Sequence, residues 1–344
     1  MLDITLFKKL CAANGISGNE SRVRDIIINE IKDCAEWRID NLGNLLVHKK
    51  GKKPAKSRLM LSAHMDEVGL MVTDITAGGY LKFDEVGGID RRVLIGKAVT
   101  VGENEVHGVI GIKPIHLCKG DESKTIPEYA EMYIDIGADS AEQAFEVVCI
   151  GDSVSFINDW FINGSTVSAK AIDDRFGCLV LISLIKSELE YDTDFAFVVQ
   201  EEVGLRGAKV AAYTLDPEFA LVIETTTSAE IAGIDREKQV CNLGEGAVIS
   251  VMDRRTLYDR EMIKLAFERA EALGVKAQYK RAVAGGNDAG AIHQSRSGVR
   301  TLAVSLACRY LHAPSTTASL SDCESVLALT KDLCEKIAGG ELTK

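Results

Sequence analysis

The amino-acid sequence predicts an α/β protein in which a mostly parallel, helix-sandwiched sheet carries an inserted β-barrel domain. Three observations lead to this fold class. The chain of 344 residues exceeds the usual size of one domain. Strands alternate with helices near the start and again in the second half, and short strands separated by Gly and Asp turns occupy the region between. We therefore predict an α/β domain at residues 1–68 plus 164–344 and a β-rich domain at residues 69–163.

The first part of the α/β domain begins with two predicted helices and continues with two strands. The first helix is amphipathic, and Ser17 with Glu20 has the Ser-x-x-Glu spacing of a capping box, which predicts the start of the second helix. The strands NLLVHK and RLMLSAH follow. The inserted region then supplies five short runs typical of a small barrel or sandwich, which are GLMVTDI, YLKFDEV, KAVTVG, VHGVIGI and DSVSFI.

Beyond about residue 163 the chain alternates between helices and strands again. The order is helix DRFGCLVLISLIKSELE, strand FAFVVQ, helix RGAKVAAYT, strand ALVIE, helix REMIKLAFERAEALG, strand TLAVSLA and helix ESVLALTKDLCEKIAGG. Ser321 and Glu324 predict a second capping box at the last helix. This alternation implies a largely parallel sheet whose faces are covered by helices.

The composition excludes several classes of protein. A net charge of −11 disfavours binding to nucleic acids, which requires clustered Lys and Arg. Nine scattered cysteines without a CxxC pair argue against a disulfide framework and against a thiolate zinc site. The start lacks the pattern of a secretory signal, and no uncharged apolar run approaches the roughly 18 residues of a membrane span. We therefore expect a cytoplasmic protein with neither nucleic-acid nor membrane partners.

Carboxylates and imidazoles follow the predicted strands of the α/β domain at the points where those strands end. In an open α/β sheet, ligands bind beyond the carboxyl ends of the strands. None of these junctions carries a Gly-rich phosphate loop or the GxSxG elbow of a serine hydrolase. A single such residue is more often a helix cap or a solvated side chain, but five junctions that share one chemistry favour a metal site. The candidates are His64, Asp66, Asp173, Glu201, Glu202, Glu224 and His312.

Two divalent ions suit this set, with Asp173 in the shared position because each of its two oxygens can face one ion. Ions ~3.5–4 Å apart can activate a water molecule between them. On an extended strand, Asp66 faces the same way as His64 and can orient its imidazole. Adjacent strand residues face opposite sides, so we expect Glu201 and Glu202 to differ, one binding metal and the other exchanging a proton with that water.

Five motifs resemble, in their order and spacing, those of the tetrahedral or glutamyl-type aminopeptidases, which are also catalogued as endoglucanases. The motifs are AHMDEVG, IDDRFGC, VQEEVGLRGA, GGNDAGAIH and RYLHAP. The resemblance runs over nearly the whole chain. It implies a dimetal aminopeptidase that acts on short peptides and has the α/β fold with an inserted barrel. It also implies self-association into a tetrahedral homododecamer, in which the inserted domain serves assembly or access.

Carried over to these residues, the resemblance implies two metal sites, a general base and one unusual peptide bond. Zn²⁺ or Co²⁺ are the expected metals. Glu201 is the implied general base, and the Asp173–Asp174 peptide is expected to be cis. The implied ligands are His64, Asp173 and Glu224 at one ion and Asp173, Glu202 and His312 at the other.

The chain departs from the usual pattern of the family at a few positions. Glu224 stands where Asp is more common, and its extra methylene moves the carboxylate by about 1.5 Å, one C–C bond length. Glu230 likewise stands where Asp is usual, and ACRYLHAP replaces a common PTRYIHSP. Because these differences can reshape the substrate pocket, the sequence does not predict whether the first substrate residue is acidic, aliphatic or basic.

Two other functions stay open from the sequence. One is hydrolysis of β-glucans, suggested only by catalogue labels; glycosidases use paired carboxylates without metals, so the two histidines with Asp173 disfavour it. The other is a catalytically weakened subunit or scaffold in a mixed peptidase assembly, suggested by the departure at Glu224. The presence of Glu201 together with the other candidate ligands disfavours this second alternative.

Overall fold

The computed structural model describes residues 2–342. The strands are β1 (Glu36–Ile39), β2 (Leu45–Lys49), β3 (Leu59–His64), β4 (Gly69–Ile75), β5 (Leu81–Val86), β6 (Ala98–Val101), β7 (Val106–Gly111), β8 (Tyr133–Asp135), β9 (Ser153–Phe156), β10 (Phe161–Asn163), β11 (Thr166–Ala169), β12 (Thr193–Val198), β13 (Phe219–Thr227), β14 (Ala247–Ile249), β15 (Ala277–Tyr279), β16 (Arg300–Arg309) and β17 (Thr316–Ser319). The α-helices are α1 (Ile4–Ala12), α2 (Ser21–Ile31), α3 (Ala141–Phe145), α4 (Ile172–Lys186), α5 (Arg206–Leu215), α6 (Arg260–Leu273), α7 (Ala289–Ile292) and α8 (Leu320–Ala338).

Eleven strands form one large sheet in the order β1-β2-β12-β3-β13-β16-β17-β11-β10, with β14 beside β16 and β15 beside β14. The four central strands, β12, β3, β13 and β16, are parallel. Their carboxyl ends therefore meet at one edge of the sheet. The outer strands β1, β2, β17, β11 and β10 pair antiparallel to their neighbours. The predicted α/β fold with a mostly parallel centre is confirmed.

Helix α4 is the central helix of the layer that covers β3 and β13. Its sequence is apolar on nearly all sides, as expected of a helix enclosed by a sheet and by other helices. Helices α1, α2 and α8 pack around it, while α5 and α7 form a second group that contacts β12, β3, β13 and β16. Their apolar side chains join one continuous core. Burial of each Leu, Ile or Phe side chain in this core stabilises the fold by roughly 1.5–3 kcal/mol relative to leaving it exposed.

Six strands close into a separate barrel in the order β4-β5-β8-β7-β6-β9. Leu70 and Val72 of β4 face the same side and enter an apolar core that belongs to the barrel alone. The barrel strands span Gly69–Phe156, whereas β10 pairs with β11 in the large sheet. The inserted barrel is therefore present, and the domain division at residues 69–163 stays a prediction.

The predicted capping box at the start of α2 is wrong. Helix α2 begins at Ser21, and its N-cap residue Glu20 makes no side-chain cap. The Ser17 hydroxyl instead donates to Asp66 Oδ2 at 2.6 Å, and Glu20 Oε1 accepts from the backbone N–H of Gln200 at 3.2 Å. Both side chains are thus engaged by loops that follow β3 and β12. Contacts between distant parts of the chain took precedence over the local capping pattern.

The second predicted capping box, at the start of α8, is also wrong. The helix begins at Leu320, so Ser321 lies inside its first turn, and its hydroxyl meets that of Ser319 at 2.9 Å. The physical reason is that β17 runs directly into α8. The antiparallel pairing of β17 with β11 sets where the strand ends, and with it where the helix begins.

All nine cysteines are free thiols, and most of them are buried. Within residues 2–342, no helix combines the length and the apolar character needed to cross a lipid bilayer.

Candidate metal centre

The carboxyl ends of the central strands converge on a cavity of about 390 Å³. His64, the last residue of β3, lies opposite Val198 of β12, and Glu224 of β13 lies opposite Ser305 of β16. The sequence-predicted residue Asp66 is completely buried. The other six predicted residues line the cavity, and these are His64, Asp173, Glu201, Glu202, Glu224 and His312.

Asp173 lies between the two histidines and presents one oxygen to each. Its Oδ1 is 3.2 Å from His64 Nε2, and its Oδ2 is 3.4 Å from His312 Nε2. His64 Nε2 also lies 3.5 Å from Glu224 Oε1, and His312 Nε2 lies 3.3 Å from Glu202 Oε2. The site therefore contains two imidazole–carboxylate groups joined by a single carboxylate.

The other ring nitrogen of each histidine is held by a backbone carbonyl. His64 Nδ1 lies 3.0 Å from the Asp66 carbonyl oxygen, and His312 Nδ1 lies 2.9 Å from that of Gly88. Gly88 belongs to the segment between β5 and β6, so the barrel supports the site directly. An imidazole that donates Nδ1–H to a carbonyl leaves Nε2 free as a ligand, and this is the usual arrangement around a bound metal.

Burial of so many ionisable groups shifts their pKa values. Burial raises the pKa of Glu202 to about 8 and that of Glu224 to about 7, and Asp173 adds to both shifts. Burial opposes the charged form of His312, but Asp173 and Glu202 outweigh it and raise its pKa to about 9. Carboxylates crowded in this way repel one another unless cations lie between them. Imidazole nitrogens and carboxylate oxygens suit divalent ions such as Zn²⁺ and Co²⁺, so the residues fit such a pair.

Asp174 belongs to the same cluster but supports it from behind. His64, Asp174 and Glu224 present potential ligand atoms within 4.8 Å of one another, as do His64, Asp173 and Glu202. The carboxylate of Asp174, however, accepts the Gly177 backbone N–H at 2.8 Å and that of His64 at 3.3 Å. Asp174 lies in the first turn of α4, where a carboxylate suits the positive end of the helix dipole. The Asp173–Asp174 peptide bond is cis, which confirms the expectation from the sequence.

The prediction that Glu201 and Glu202 face opposite sides of a strand is wrong. Strand β12 ends at Val198, and both glutamates lie in the loop that follows, after Gln200 with φ of 57°. The loop nevertheless gives the two carboxylates different surroundings. Glu202 lies beside His312, whereas Glu201 makes no ion pair with any residue in the described range 2–342. Burial raises the pKa of Glu201 well above its ordinary value.

Asp66 does more than the predicted orientation of His64. Its Oδ1 lies 3.5 Å from His64 Nδ1 and accepts the Glu201 backbone N–H at 3.0 Å. Its Oδ2 accepts the Glu202 backbone N–H at 3.1 Å and the Ser17 hydroxyl at 2.6 Å. One buried carboxylate therefore lies beside the imidazole of His64 and accepts from the backbone of both glutamates, and the sequence did not predict this second role.

We expect Asp66→Asn to lower kcat by about 10–100-fold, the usual range for groups that orient metal-binding side chains. An amide presents an NH₂ group where the carboxylate accepts a backbone N–H, so the loop and His64 lose a shared support. Steady-state kinetics measure the effect. Asp192→Asn is the matched control, because Asp192 also accepts a backbone N–H, from Gly51 at 2.8 Å, next to the opposite end of β12. Equal kcat values in the two variants would contradict the role of Asp66.

Several cavity residues were not predicted as site residues from the sequence. Lys280 and Arg255 bring positive charge to the lining, and Asn287 brings an amide. Lys280 directly follows β15, which pairs with the short strand β14 at the margin of the large sheet. No local pattern could have indicated these two cations, because their segments enter the cavity only through the fold. Asn287 lies in the GGNDAGAIH motif, which was the available signal.

Comparison with known proteins identifies the family. A model of the M42 glutamyl aminopeptidase family matches residues 43–329, most of the chain. The chain belongs to this family. It is therefore an aminopeptidase, a hydrolase of peptide bonds. Membership in this metallopeptidase family implies divalent metal ions, and the structure contains a buried cluster of His, Asp and Glu that could hold them.

Individual M42 relatives match over nearly their whole length. The lysyl aminopeptidase of Pyrococcus furiosus is 32% identical, and the match covers 100% of both chains. The solved TET1 peptidase of Pyrococcus horikoshii, which can assemble into a tetrahedron or a large octahedral shell, has a TM-score of 0.85 at 39% identity, covering 96% of this chain and 98% of its own. A Thermotoga maritima structure described as an endoglucanase has a TM-score of 0.82 at 34% identity, covering 98% and 99%.

Proposed function

We propose that this M42 protein is a two-metal aminopeptidase that releases N-terminal residues from short peptides, with Glu201 as the general base. The observation that carries the proposal is the position of Asp173, whose two oxygens face two different histidines at 3.2 and 3.4 Å. Such a shared carboxylate suits two adjacent ions. The proposed ligands are His64, Asp173 and Glu224 for one ion and Asp173, Glu202 and His312 for the other.

When bound, a pair of divalent ions would polarise the scissile carbonyl and increase the acidity of the attacking water. Glu201 lines the cavity and is free of ion pairs with the described residues, so its carboxylate can accept a proton from that water. The water oxygen bonds to the carbonyl carbon, and the C–N bond then breaks. Glu201 returns the proton to the leaving nitrogen. Asp66 keeps the Glu201 backbone in place during both transfers.

Glu224 reaches the site although it is longer than the Asp common in the family. Its Oε1 accepts the backbone N–H of the next residue, Thr225, at 2.9 Å and lies 3.5 Å from His64 Nε2. The side chain is therefore folded back towards its own backbone. We infer that this conformation absorbs the extra methylene and keeps a carboxylate oxygen at the first ion.

The proposal extends to assembly and location. Because the TET1 peptidase of Pyrococcus horikoshii forms closed shells, we propose that this chain also self-associates, as a tetrahedral homododecamer. We assign an assembly or access role to the β-rich domain predicted at residues 69–163. We propose the cytoplasm as the location, where Zn²⁺ or Co²⁺ would serve as the metal.

A lysine in the cavity favours substrates whose first residue is acidic. The comparisons do not decide this preference, since the family carries the name glutamyl aminopeptidase whereas one relative of this chain is a lysyl aminopeptidase. Lys280 lines the cavity, donates to the Ala284 carbonyl at 3.0 Å and makes no ion pair with residues 2–342. Burial lowers its pKa, and the charges of Asp253 and Glu224 oppose that shift. A substrate carboxylate would give this ammonium group the ion pair that it lacks.

A panel of aminoacyl anilides on the metal-loaded protein tests both the activity and this preference. We expect the glutamyl and aspartyl anilides to give the highest kcat/KM. Lys280→Gln should lower the glutamyl kcat/KM by about 10–150-fold and leave the leucyl value unchanged, since a charged hydrogen bond contributes about 1.5–3 kcal/mol. Lys276→Gln, at an exposed lysine of the same segment, is the matched control. Absence of turnover on every anilide would contradict the proposed function, and equal losses on both substrates would contradict the role of Lys280.

The same purified protein also tests the two alternative functions, a β-glucan hydrolase and a catalytically weakened subunit or scaffold. Glucan hydrolysis has the Thermotoga maritima description in its favour. Carboxylates that pair with histidines are not the metal-free pair of a glycosidase, so we expect no sugar release from a β-glucan in the presence of chelator. A weakened subunit or scaffold would appear as a metal-loaded protein without turnover on a broad panel of peptides.

A further inference from the structure

A basic groove adjoins the catalytic cavity. We define it by its four cationic residues, Arg206, Lys209, Arg255 and Arg296, which line a depression of about 940 Å³ together with apolar and aromatic side chains such as Tyr213. The whole chain carries a net charge of −11. A concentration of positive charge next to the active site therefore contrasts with the rest of the molecule.

The basic groove and the cavity share part of their lining. Gly204, Leu205 and Arg255 contribute to both. Gly204 and Leu205 belong to the loop that carries Glu201, and their backbone N–H groups both donate to the Glu201 carbonyl at 2.9 Å. This tight turn means that the groove begins immediately beside the proposed general base.

The position of Glu201 indicates which part of a substrate faces the groove, an argument that rests on the proposed function. Glu201 returns a proton to the nitrogen of the leaving peptide, so the downstream segment must start next to its carboxylate. From that point the chain of the substrate can pass Gly204 and Leu205 and enter the groove. The side chain of the first residue, by contrast, lies on the side of the bond away from the leaving nitrogen.

Most of the positive charge in the basic groove is not neutralised by the described residues. The guanidinium of Arg206 donates to the neutral amide oxygen of Gln200 at 3.2 Å. Within residues 2–342, none of Arg206, Lys209 and Arg255 forms an ion pair. Arg296 is the exception, because its Nε lies 3.3 Å from Asp216 Oδ1 and its guanidinium lies 4.1 Å from the centre of the Tyr213 ring. Three of the four cations are therefore available to a ligand.

We propose that the basic groove binds the downstream part of peptide substrates and favours peptides that carry a carboxylate there. That carboxylate can belong to an acidic side chain or to the free C-terminus. Complementary charge accelerates encounter and aligns the substrate, and both effects weaken as salt screens the charges.

The test compares four substrates that share an N-terminal glutamate. The glutamyl anilide has no downstream peptide, Glu-Ala-Ala-Ala amide has no downstream carboxylate, Glu-Ala-Glu-Glu amide has acidic side chains, and Glu-Ala-Ala-Ala with a free C-terminus has the terminal carboxylate. We expect at least one carboxylate-bearing peptide to exceed the neutral amide in kcat/KM by about fivefold to tenfold at low salt, mainly through KM. The peptide that gains identifies the source of the carboxylate.

Lys209→Glu should abolish that gain when each peptide is expressed relative to the anilide. Lys264→Glu introduces the same change of charge on the exposed surface of α6, where Lys264 is 77% exposed, and should preserve the gain. If Lys209→Glu fails to fold, the wild type in 0.5 M salt replaces it, and the gain should shrink by screening. Equal kcat/KM values for all three peptides, with the anilide still hydrolysed, would overturn the groove proposal alone. Absence of anilide hydrolysis would overturn it together with the proposed function.

Discussion

Glu201→Gln is expected to lower kcat for an aminoacyl anilide by about 10²–10⁴-fold, the range that general acid–base catalysis contributes. Gln keeps the size and the polar end of the side chain but cannot accept the proton of the attacking water. The change leaves the imidazole–carboxylate contacts of His64 and His312 untouched, since Glu201 takes part in neither. Steady-state kinetics on the metal-loaded variant measure the loss.

The metal content of the variant distinguishes a general base from a metal ligand at Glu201. We expect the Glu201→Gln variant to retain the metal content of the wild type in elemental analysis. Glu188→Gln is the matched control, because Glu188 is 85% exposed and should leave both kcat and metal content unchanged. Loss of metal from the Glu201 variant would make this residue a ligand, and an unchanged kcat would remove it from the reaction.

Thorough removal of metal is expected to abolish peptidase activity, and Zn²⁺ or Co²⁺ should restore it. The reason lies in the density of negative charge, with Asp173, Glu202 and Glu224 all within 3.5 Å of a histidine Nε2. Ions that bind the native protein but not the unfolded chain also stabilise the fold. At a free metal concentration 100 times the Kd, one site adds about 2.7 kcal/mol to the free energy of unfolding. We therefore expect a lower Tm without metal. Kinetics and thermal unfolding before and after chelation measure both effects.

Asp173→Asn supplies the control for metal removal. Asn has only one side-chain oxygen, so it cannot present an oxygen to each of two ions. We therefore expect this variant to show neither activity nor the metal-dependent rise in Tm. Asp135→Asn, in the barrel, should behave as the wild type. Asp135 accepts the Gly137 backbone N–H at 2.9 Å and is not among the predicted site residues. Full activity after complete metal removal would contradict the two-metal proposal.

The periodicity of apolar residues was sufficient to predict the fold class, because buried positions recur with a spacing that is characteristic of each type of element. The apolar run of α4 and the buried strand β3 are readable as core elements, and the structure has both. By contrast, β1 was not predicted, since all its residues are exposed and it lies at an edge of the sheet. Six of the seven predicted site residues line one cavity for a related reason, because parallel strands bring their carboxyl ends together whatever the intervening sequence.

Two of the failures concern side chains whose surroundings are set by residues distant in the chain. Ser17 has the spacing of a helix cap, but it donates to Asp66. Glu201 and Glu202 are adjacent, yet a loop with a positive φ at Gln200, rather than strand alternation, gives their carboxylates different surroundings. Spacing along the chain cannot distinguish such cases, since the competing partner belongs to another element.

Local sequence pattern alone therefore determined the main strands and helices, though not the edge strand β1, and which acidic and imidazole side chains lie at or just beyond the ends of the central strands, since both follow from periodicity and from short-range chemistry. Only the tertiary structure decided how those side chains meet. It placed Asp66 beneath both glutamates, the barrel carbonyl of Gly88 on His312, and Lys280 in the cavity. These are contacts between residues far apart in sequence, and packing of the whole chain is what brings them within hydrogen-bonding distance.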